Sequence, residues 1–501
     1  MEVLMIIFQI LFWLVEINVL YYAILYIVGI FFHRVRYKMQ DDKEKFCIFV
    51  PCHNEGAVVE ATVKDYININ YNKDLYDIYF IADNCSDNTA EVLRKAIKET
   101  GATNFYVLER NVNDPKKRGK PHALRWGIEQ LEKEDKFYSK YDMFMILDAD
   151  NFVDADILKH VNSQYLSYKE NKRPVMIQTY LDSKNKNSLV ARGYFENYRI
   201  MNGFWQISKQ KLHLVPGIGG TGFAIDTTFL KSIGGFNCKS LTEDLEIETI
   251  ATIKNKKIVY NPNVRIYDEK PTRLKASIVQ RTRWAQGHWY IAFKYIPLLF
   301  IQLFNPKSIK MFFKKLDMLM YLASRFFIVW GFLMTLISLY YAIVSPDLII
   351  IPHPFGIVNT VLLVLSILLI PLASLYDGKP KEKKRVLIEF IPNVISIYLI
   401  TAIDIITSIM GLCKCGNQKT WKKTVHKINT ITEGKFEHTD NNGAVAECGN
   451  SGFKNDSINE ECKNEIQENT SSDGKLVYNI NTKDNSGAEK IVEHYKHIYN
   501  E

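Results

Sequence analysis

The sequence predicts an α/β protein: a cytosolic domain on a mostly parallel sheet, joined to α-helices able to cross a membrane. Three observations lead there. Short apolar runs alternate with helix-like stretches between His33 and about Lys315, the pattern of strands joined by crossover helices. Long apolar stretches lie on both sides of that region. The short runs end in polar residues, which in a parallel sheet is where ligands bind.

The membrane elements come first. From Val3 to Phe32 the chain is apolar except for Gln9, Glu16 and Asn18, long enough to span a bilayer and too long for a cleaved signal peptide. His33, Arg34, Arg36 and Lys38 follow it, which places its C-terminal end, and the domain beyond, in the cytosol. Further spans are expected at Leu316 to Val344 and Ile357 to Tyr376, joined by an outward loop, Ser345 to Gly356, without Lys or Arg. A fourth apolar stretch, Val386 to Leu412, is basic on both flanks. Pro392 and Asp404 within it leave a crossing and a re-entrant or interfacial arrangement open. Past about Thr432 there are few apolar anchors, so a disordered tail is expected. The resulting segments are 1–32 (membrane helix), 33–292 (α/β domain), 293–315 (amphipathic interface helices), 316–412 (membrane or re-entrant helices) and 413–501 (cytosolic segment and tail).

Charge excludes one class of partner. Lys and Arg number 63 against 55 Asp and Glu, and they cluster beside apolar stretches without interleaved aromatics, so no nucleic-acid surface is expected. The eight cysteines form no C-x-x-C pair, which fits a reducing compartment, and Cys413 and Cys415 follow an apolar stretch where palmitoylation is conceivable.

Within the α/β region, Cys47 to Val50 and Ile78 to Ala82 read as strands, followed by helices over Glu55 to Ile67 and Asp87 to Glu99. The first strand leads into Pro51-Cys-His-Asn-Glu55, with His53 and Glu55 lining a cleft; the second leads into Asp83, placed to meet a base or ribose. Arg118-Gly-Lys120 sets a cation beside a flexible glycine, within reach of a phosphate. A third strand, Met143 to Leu147, ends in Asp148-Ala-Asp150, two carboxylates able to share a hard divalent cation, although such triplets also cap helices. Thr242-Glu243-Asp244 follows the small-residue segment Gly217-Ile-Gly-Gly-Thr221-Gly222, and a buried carboxylate there could take a proton from a hydroxyl. Gln280, Arg283 and Trp284 fall within about one helical turn, so an amide, a guanidinium and an indole converge.

In order and spacing, Asp83, Asp148-Ala-Asp150, Thr242-Glu-Asp244 and Gln280-Arg-Thr-Arg-Trp284 resemble the processive glycosyltransferase family 2, the cellulose, hyaluronan, chitin and poly-N-acetylglucosamine synthases, over about Phe46 to Ala292. The resemblance implies a Rossmann-like GT-A domain, a divalent cation (Mg2+ or Mn2+) and inversion by in-line attack. It implies that Asp83 contacts the uridine, that Asp148 and Asp150 hold metal and diphosphate, and that Asp244 is the general base. Gln280 and Arg283 would bind the donor diphosphate, with His53, Glu55 and Lys120 also on the donor side; Trp284, Thr221 and Glu243 would face the acceptor. Pro121 stands where the family has a small residue.

The expected activity is transfer of a sugar from a UDP-sugar or other nucleotide-sugar donor to a growing polysaccharide at the plasma membrane, with membrane lipids as surroundings. A lipid acceptor receiving one or two sugars would use the same donor residues. A catalytically inactive membrane scaffold is the reading of a different class. Asp244 is expected to stay anionic, its helix-start position and a nearby cation outweighing desolvation.

Overall fold

A computed structural model describes residues 2–32, 35–114, 117–134, 136–344, 364–365, 367–376 and 383–418, with four short strands between 438 and 480. The chain divides into two units, Met1–Glu433 and Gly434–Glu501. The first opens with helix α1 (Glu2–Phe31) and continues through β1 (Phe46–Cys52), α2 (Val59–Tyr66), β2 (Tyr76–Asp83), α3 (Thr89–Thr100), β3 (Phe105–Arg110), α4 (Lys120–Glu132), β4 (Met143–Ile146) and β5 (Phe152–Val153). It proceeds with α5 (Ile157–Leu166), β6 (Met176–Ser183), α6 (Leu189–Ile200), a π-helical turn, α7 (Ile207–Lys211), β7 (Phe223–Asp226), α8 (Thr227–Ser232), α9 (Glu243–Ile253) and β8 (Ile258–Asp268). Four further helices follow: α10 (Leu274–Leu303), α11 (Ile309–Val344), α12 (Ile367–Tyr376) and α13 (Val386–Lys414).

The eight strands form one mixed sheet in the order β3-β2-β1-β4-β7-β6-β8-β5. Pairs β2–β3, β1–β2, β1–β4 and β6–β8 are parallel, while β4–β7, β6–β7 and β5–β8 are antiparallel. Every residue of β2 is buried, which is why the sequence there runs apolar without alternation: helices cover both faces. In β1, Phe46, Ile48 and Val50 join one core while Cys47 and Phe49 join the other, as a two-residue period requires. Helix α2 buries Val59, Thr62, Val63 and Tyr66, a single helical face. The second core also takes in Leu299, Met318 and Leu322, so α10 and α11 are welded to the α/β domain by apolar packing.

The sheet topology sets the site. Because β1, β2 and β4 run parallel and adjacent, the residues after them, His53, Asp83 and Asp148, emerge at the same edge.

The helical part departs from expectation in three places. The boundary at 292/293 falls inside α10, which continues without a break to Leu303 and buries Leu299. Helix α11 begins at Ile309 instead of Leu316. The stretch left open between crossing and re-entry is one uninterrupted helix, α13, with Pro392 inside it. Its Asp404 meets Arg325 of α11 at 2.9 Å and Arg281 of α10 at 3.1 Å, so the half-buried carboxylate is paired and no break is needed to reach water. Among the described residues three helices, Gln9–Phe31, Ile309–Ile337 and Val386–Lys414, are long and apolar enough to cross a membrane. The outward loop 345–356, residues 357–363 of the third expected span and the start of the basic loop after Tyr376 lie outside the described residues.

The described part of the second unit consists of antiparallel pairs, His438–Thr439 with Val445–Ala446 and Ile466–Thr470 with Leu476–Ile480, where the composition led us to expect no element. Isolated two-stranded ribbons are marginal in water, which fits that composition.

Candidate active site

All twelve side chains singled out in the sequence, His53, Glu55, Asp83, Lys120, Asp148, Asp150, Thr221, Glu243, Asp244, Gln280, Arg283 and Trp284, border one cavity of about 680 Å³. They arrive from strand ends (β1, β2, β4), helix starts (α4, α9), the 217–222 loop and the first turns of α10.

On one wall, Asp83 is buried and fully engaged. Its Oδ1 lies 2.6 Å from Arg110 Nη1 and its Oδ2 accepts the Gly119 N–H at 3.2 Å. Arg110 also donates to the Lys117 carbonyl at 2.6 Å, so this carboxylate ties β2, β3 and the loop before α4 into one unit. His53 Nδ1 sits 2.7 Å from the Asp83 carbonyl oxygen, and the Glu55 N–H donates to Thr89 Oγ1 at 2.8 Å.

Lys120, in the first turn of α4, crosses the floor. Its Nζ is 2.5 Å from Asp148 Oδ1, 2.7 Å from the Gly220 carbonyl and 3.8 Å from Glu243 Oε1. Burial alone would lower its pKa, but Asp148 and Glu243 outweigh that and hold it above the usual lysine value. Gly220 is required here: its φ is +81°, and a Cβ would stand 3.1 Å from Asp244 Oδ2. The Asp148 N–H donates to Asn151 Oδ1 and Thr221 Oγ1, fixing the strand end, and Asp150 Oδ2 accepts the Glu269 N–H at 2.8 Å.

At the start of α9, the Glu243 carboxyl is buried and the adjacent Asp244 carboxyl is half-buried at the cavity edge. Burial and the neighbouring Glu243 charge push Asp244 up to about 7, overcoming the Leu245 N–H, Lys120 and Arg283, which act the other way. This reverses the expected balance, because desolvation and the Glu243 charge together outweigh the nearby cations. Burial likewise raises Glu243, against Lys120 and Arg283.

Gln280 Oε1 accepts from Tyr194 Oη at 3.1 Å, and the Tyr194 ring meets Trp284 edge-on with centroids 6.2 Å apart. Arg283 borders the cavity with no ion pair among the described residues, whereas Arg281 beside it is tied to Asp404.

Several lining groups were not singled out. Asp268 and Glu269 follow β8, where the same strand-end reasoning would have found them. His288, Tyr321 and Arg325 come from α10 and α11; a cation inside an apolar span was the only signal for Arg325.

The carboxylates fit a hard divalent cation. Burial pushes Asp268 up to about 6, and the charges of Asp150 and Asp148 add to the rise, so this wall carries crowded anionic oxygen. Among the described residues no three acidic, His or Cys groups converge closely enough to hold an ion unaided, so ligand oxygens would have to complete the shell.

A family profile described as "Glycosyltransferase like family 2" matches residues 44–287. Poly-beta-1,6-N-acetyl-D-glucosamine synthase of Staphylococcus aureus is 28% identical over 276 residues, 53% of this chain and 62% of that one. The probable glycosyltransferase YdaM of Bacillus subtilis is 25% identical over 293 residues, 58% of this chain and 64% of its own. The chain thus spans less than two thirds of these relatives' length. A solved mannosyltransferase of Pyrobaculum calidifontis, in complex with GDP-Man and Mn2+, shares the fold at a TM-score of 0.51 and 16% identity, covering 80% of this chain and 99% of that one. Residues 44–287, just under half of the chain, thus form a glycosyltransferase-like family 2 domain of GT-A fold.

Proposed function

We propose that the protein transfers a sugar from a nucleotide-sugar donor, a UDP-sugar foremost, to a growing polysaccharide at the cytosolic face of the plasma membrane. The observation that carries this reading is the single cavity bordered by both the Asp148/Asp150 wall and the Glu243/Asp244 helix start. The synthase that is 28% identical to the chain acts, by its name, on such a polymer. The basic residues after α1 support the cytosolic placement.

In this mechanism His53, Glu55 and Asp83 border the nucleoside, and Asp83 also holds the Gly119 loop in place. Asp148 and Asp150, with Asp150 the more direct ligand, would hold Mg2+ or Mn2+; such an ion, when bound, neutralises diphosphate charge and stabilises the leaving group. The mannosyltransferase that shares the fold was solved in complex with GDP-Man and Mn2+. Lys120 and Arg283 set positive charge where the diphosphate departs, and Gln280 orients it. Trp284 offers a flat apolar face to the acceptor sugar, with Thr221 and Glu243 beside it. The acceptor oxygen attacks the anomeric carbon in line as its proton passes to Asp244, and the bond from that carbon to the diphosphate breaks.

The test is incubation of the purified chain with radiolabelled nucleotide sugars, Mg2+ or Mn2+ and membrane lipid, followed by sizing of the product. A long polymer is the expected outcome. A lipid carrying one or two sugars would replace the polymer reading, and no turnover of any donor would favour an inactive scaffold.

A further inference from the structure

Beside the main cavity lies a second hollow of about 450 Å³, bounded by the start of α4, the 237–241 loop, α10 and residues 416–418 after α13. Arg118, Lys120, Glu243 and Arg283 stand on the wall common to both cavities. Away from that wall the second hollow is bordered by His122, Arg125 and Lys239. Among its lining residues the only carboxylate is Glu243, already 3.8 Å from Lys120.

The positive charge here is poorly compensated. Arg125 is steadied by Asn237 Oδ1 at 3.1 Å and by Glu129 at 3.8 Å, which leaves guanidinium donors unspent. Arg118, Lys239 and Arg283 make no ion pair among the described residues. His122 registers the surplus: burial pushes it below the usual histidine value, and Arg125 and Arg110 push it further, against Asp83 and Asp114. Helix α4 begins at Gly119 with no side-chain cap and no acid in its first turn, so its end adds positive potential.

We propose that this hollow is a second anion site, taking a phosphate-bearing ligand independently of the Asp148/Asp150 wall. Guanidinium and ammonium groups around a pocket lacking free carboxylates match phosphate oxygens. Two sources carry that chemistry: a soluble diphosphate and a membrane lipid headgroup, since the end of α13 forms part of the rim. Binding draws a proton onto His122, because the arriving anion offsets the cations that add to burial in keeping it neutral.

The test uses the full chain in phosphatidylcholine nanodiscs, titrated calorimetrically with inorganic pyrophosphate in the presence of a chelator. The proposal requires a pyrophosphate site that persists in Asp148→Asn/Asp150→Asn and weakens about tenfold or more in Arg125→Glu/Lys239→Glu. The milder Arg125→Gln/Lys239→Gln must show the same direction. From pH 8 to pH 6 the parent chain should gain affinity relative to His122→Gln, a comparison that cancels the titration of pyrophosphate itself. Nanodiscs doped with phosphatidic acid distinguish the sources: competition with pyrophosphate points to a headgroup, and its absence to a soluble ligand. Binding indifferent to Arg125 and Lys239, or abolished with Asp148 and Asp150, would overturn the proposal. Neither result depends on which sugar donor the enzyme uses.

Discussion

The two acidic walls of the cavity are built from the same residue types and behave differently. Asp148 stands at a strand end, partly open, with Lys120 at 2.5 Å. Asp244 stands half-buried at a helix start beside the buried Glu243 carboxyl, where desolvation and that neighbouring charge carry it to about 7. The comparison teaches that position on an element does not decide ionisation. A carboxylate paired with a lysine suits holding a cation, whereas one desolvated beside a second carboxyl is poised to exchange a proton near neutrality.

Removing the Asp148/Asp150 wall should have the largest effect on donor binding. Asp148→Asn/Asp150→Asn is expected to lower transfer about 10³-fold and to abolish metal-dependent donor binding, measured by product label and by calorimetry with and without Mn2+. Retained metal-dependent binding would detach that wall from the donor.

Arg283→Ala comes next, with an expected loss of about 10²-fold in kcat/KM, since it removes an unpaired cation from the cavity. Arg281→Ala, which breaks the tie to Asp404, should instead lower thermal stability; similar kinetics for the two would blur the distinction drawn between them.

Acidity separates the walls further. With Asp244 near 7, its anionic fraction falls roughly tenfold between pH 8 and pH 6, so transfer should fall by about that factor over this window. A pH-independent rate across it would refute the role given to burial.

The smallest effect is on stability. The unfolded carboxyl ionises near pH 4 and the folded one near 7, so the cost of ionising it in the fold grows across that interval and is complete above it. At pH 8, Asp244→Asn should therefore stabilise the fold by about 1–4 kcal/mol, read as a higher melting temperature.

The outline of this site was legible because most contributing residues follow a short apolar run or open a helix, a parallel sheet brings strand ends to one edge, and Gln280, Arg283 and Trp284 share one helical turn. The twelve residues needed no tertiary information to be selected, only to be brought together. What was not legible depends on distant partners. The occupation of Asp83 by Arg110 requires the β2–β3 register, which sets those two residues side by side. The raised Asp244 depends on burial, to which a local helix-start argument is blind. Asp404 gave no hint of being clamped by two arginines from different helices, so α13 could not be told from a broken segment. The continuity of α10 through residue 292 comes from packing of Leu299 into the core.

The most direct test is donor binding and sugar transfer measured side by side in Asp244→Asn. The account predicts transfer reduced by about 10³-fold or more with donor affinity unchanged within a factor of about two. Transfer at the parent rate would contradict it, and so would equal losses of binding and transfer, because Asp244 would then belong to the donor wall and not to the acceptor's proton.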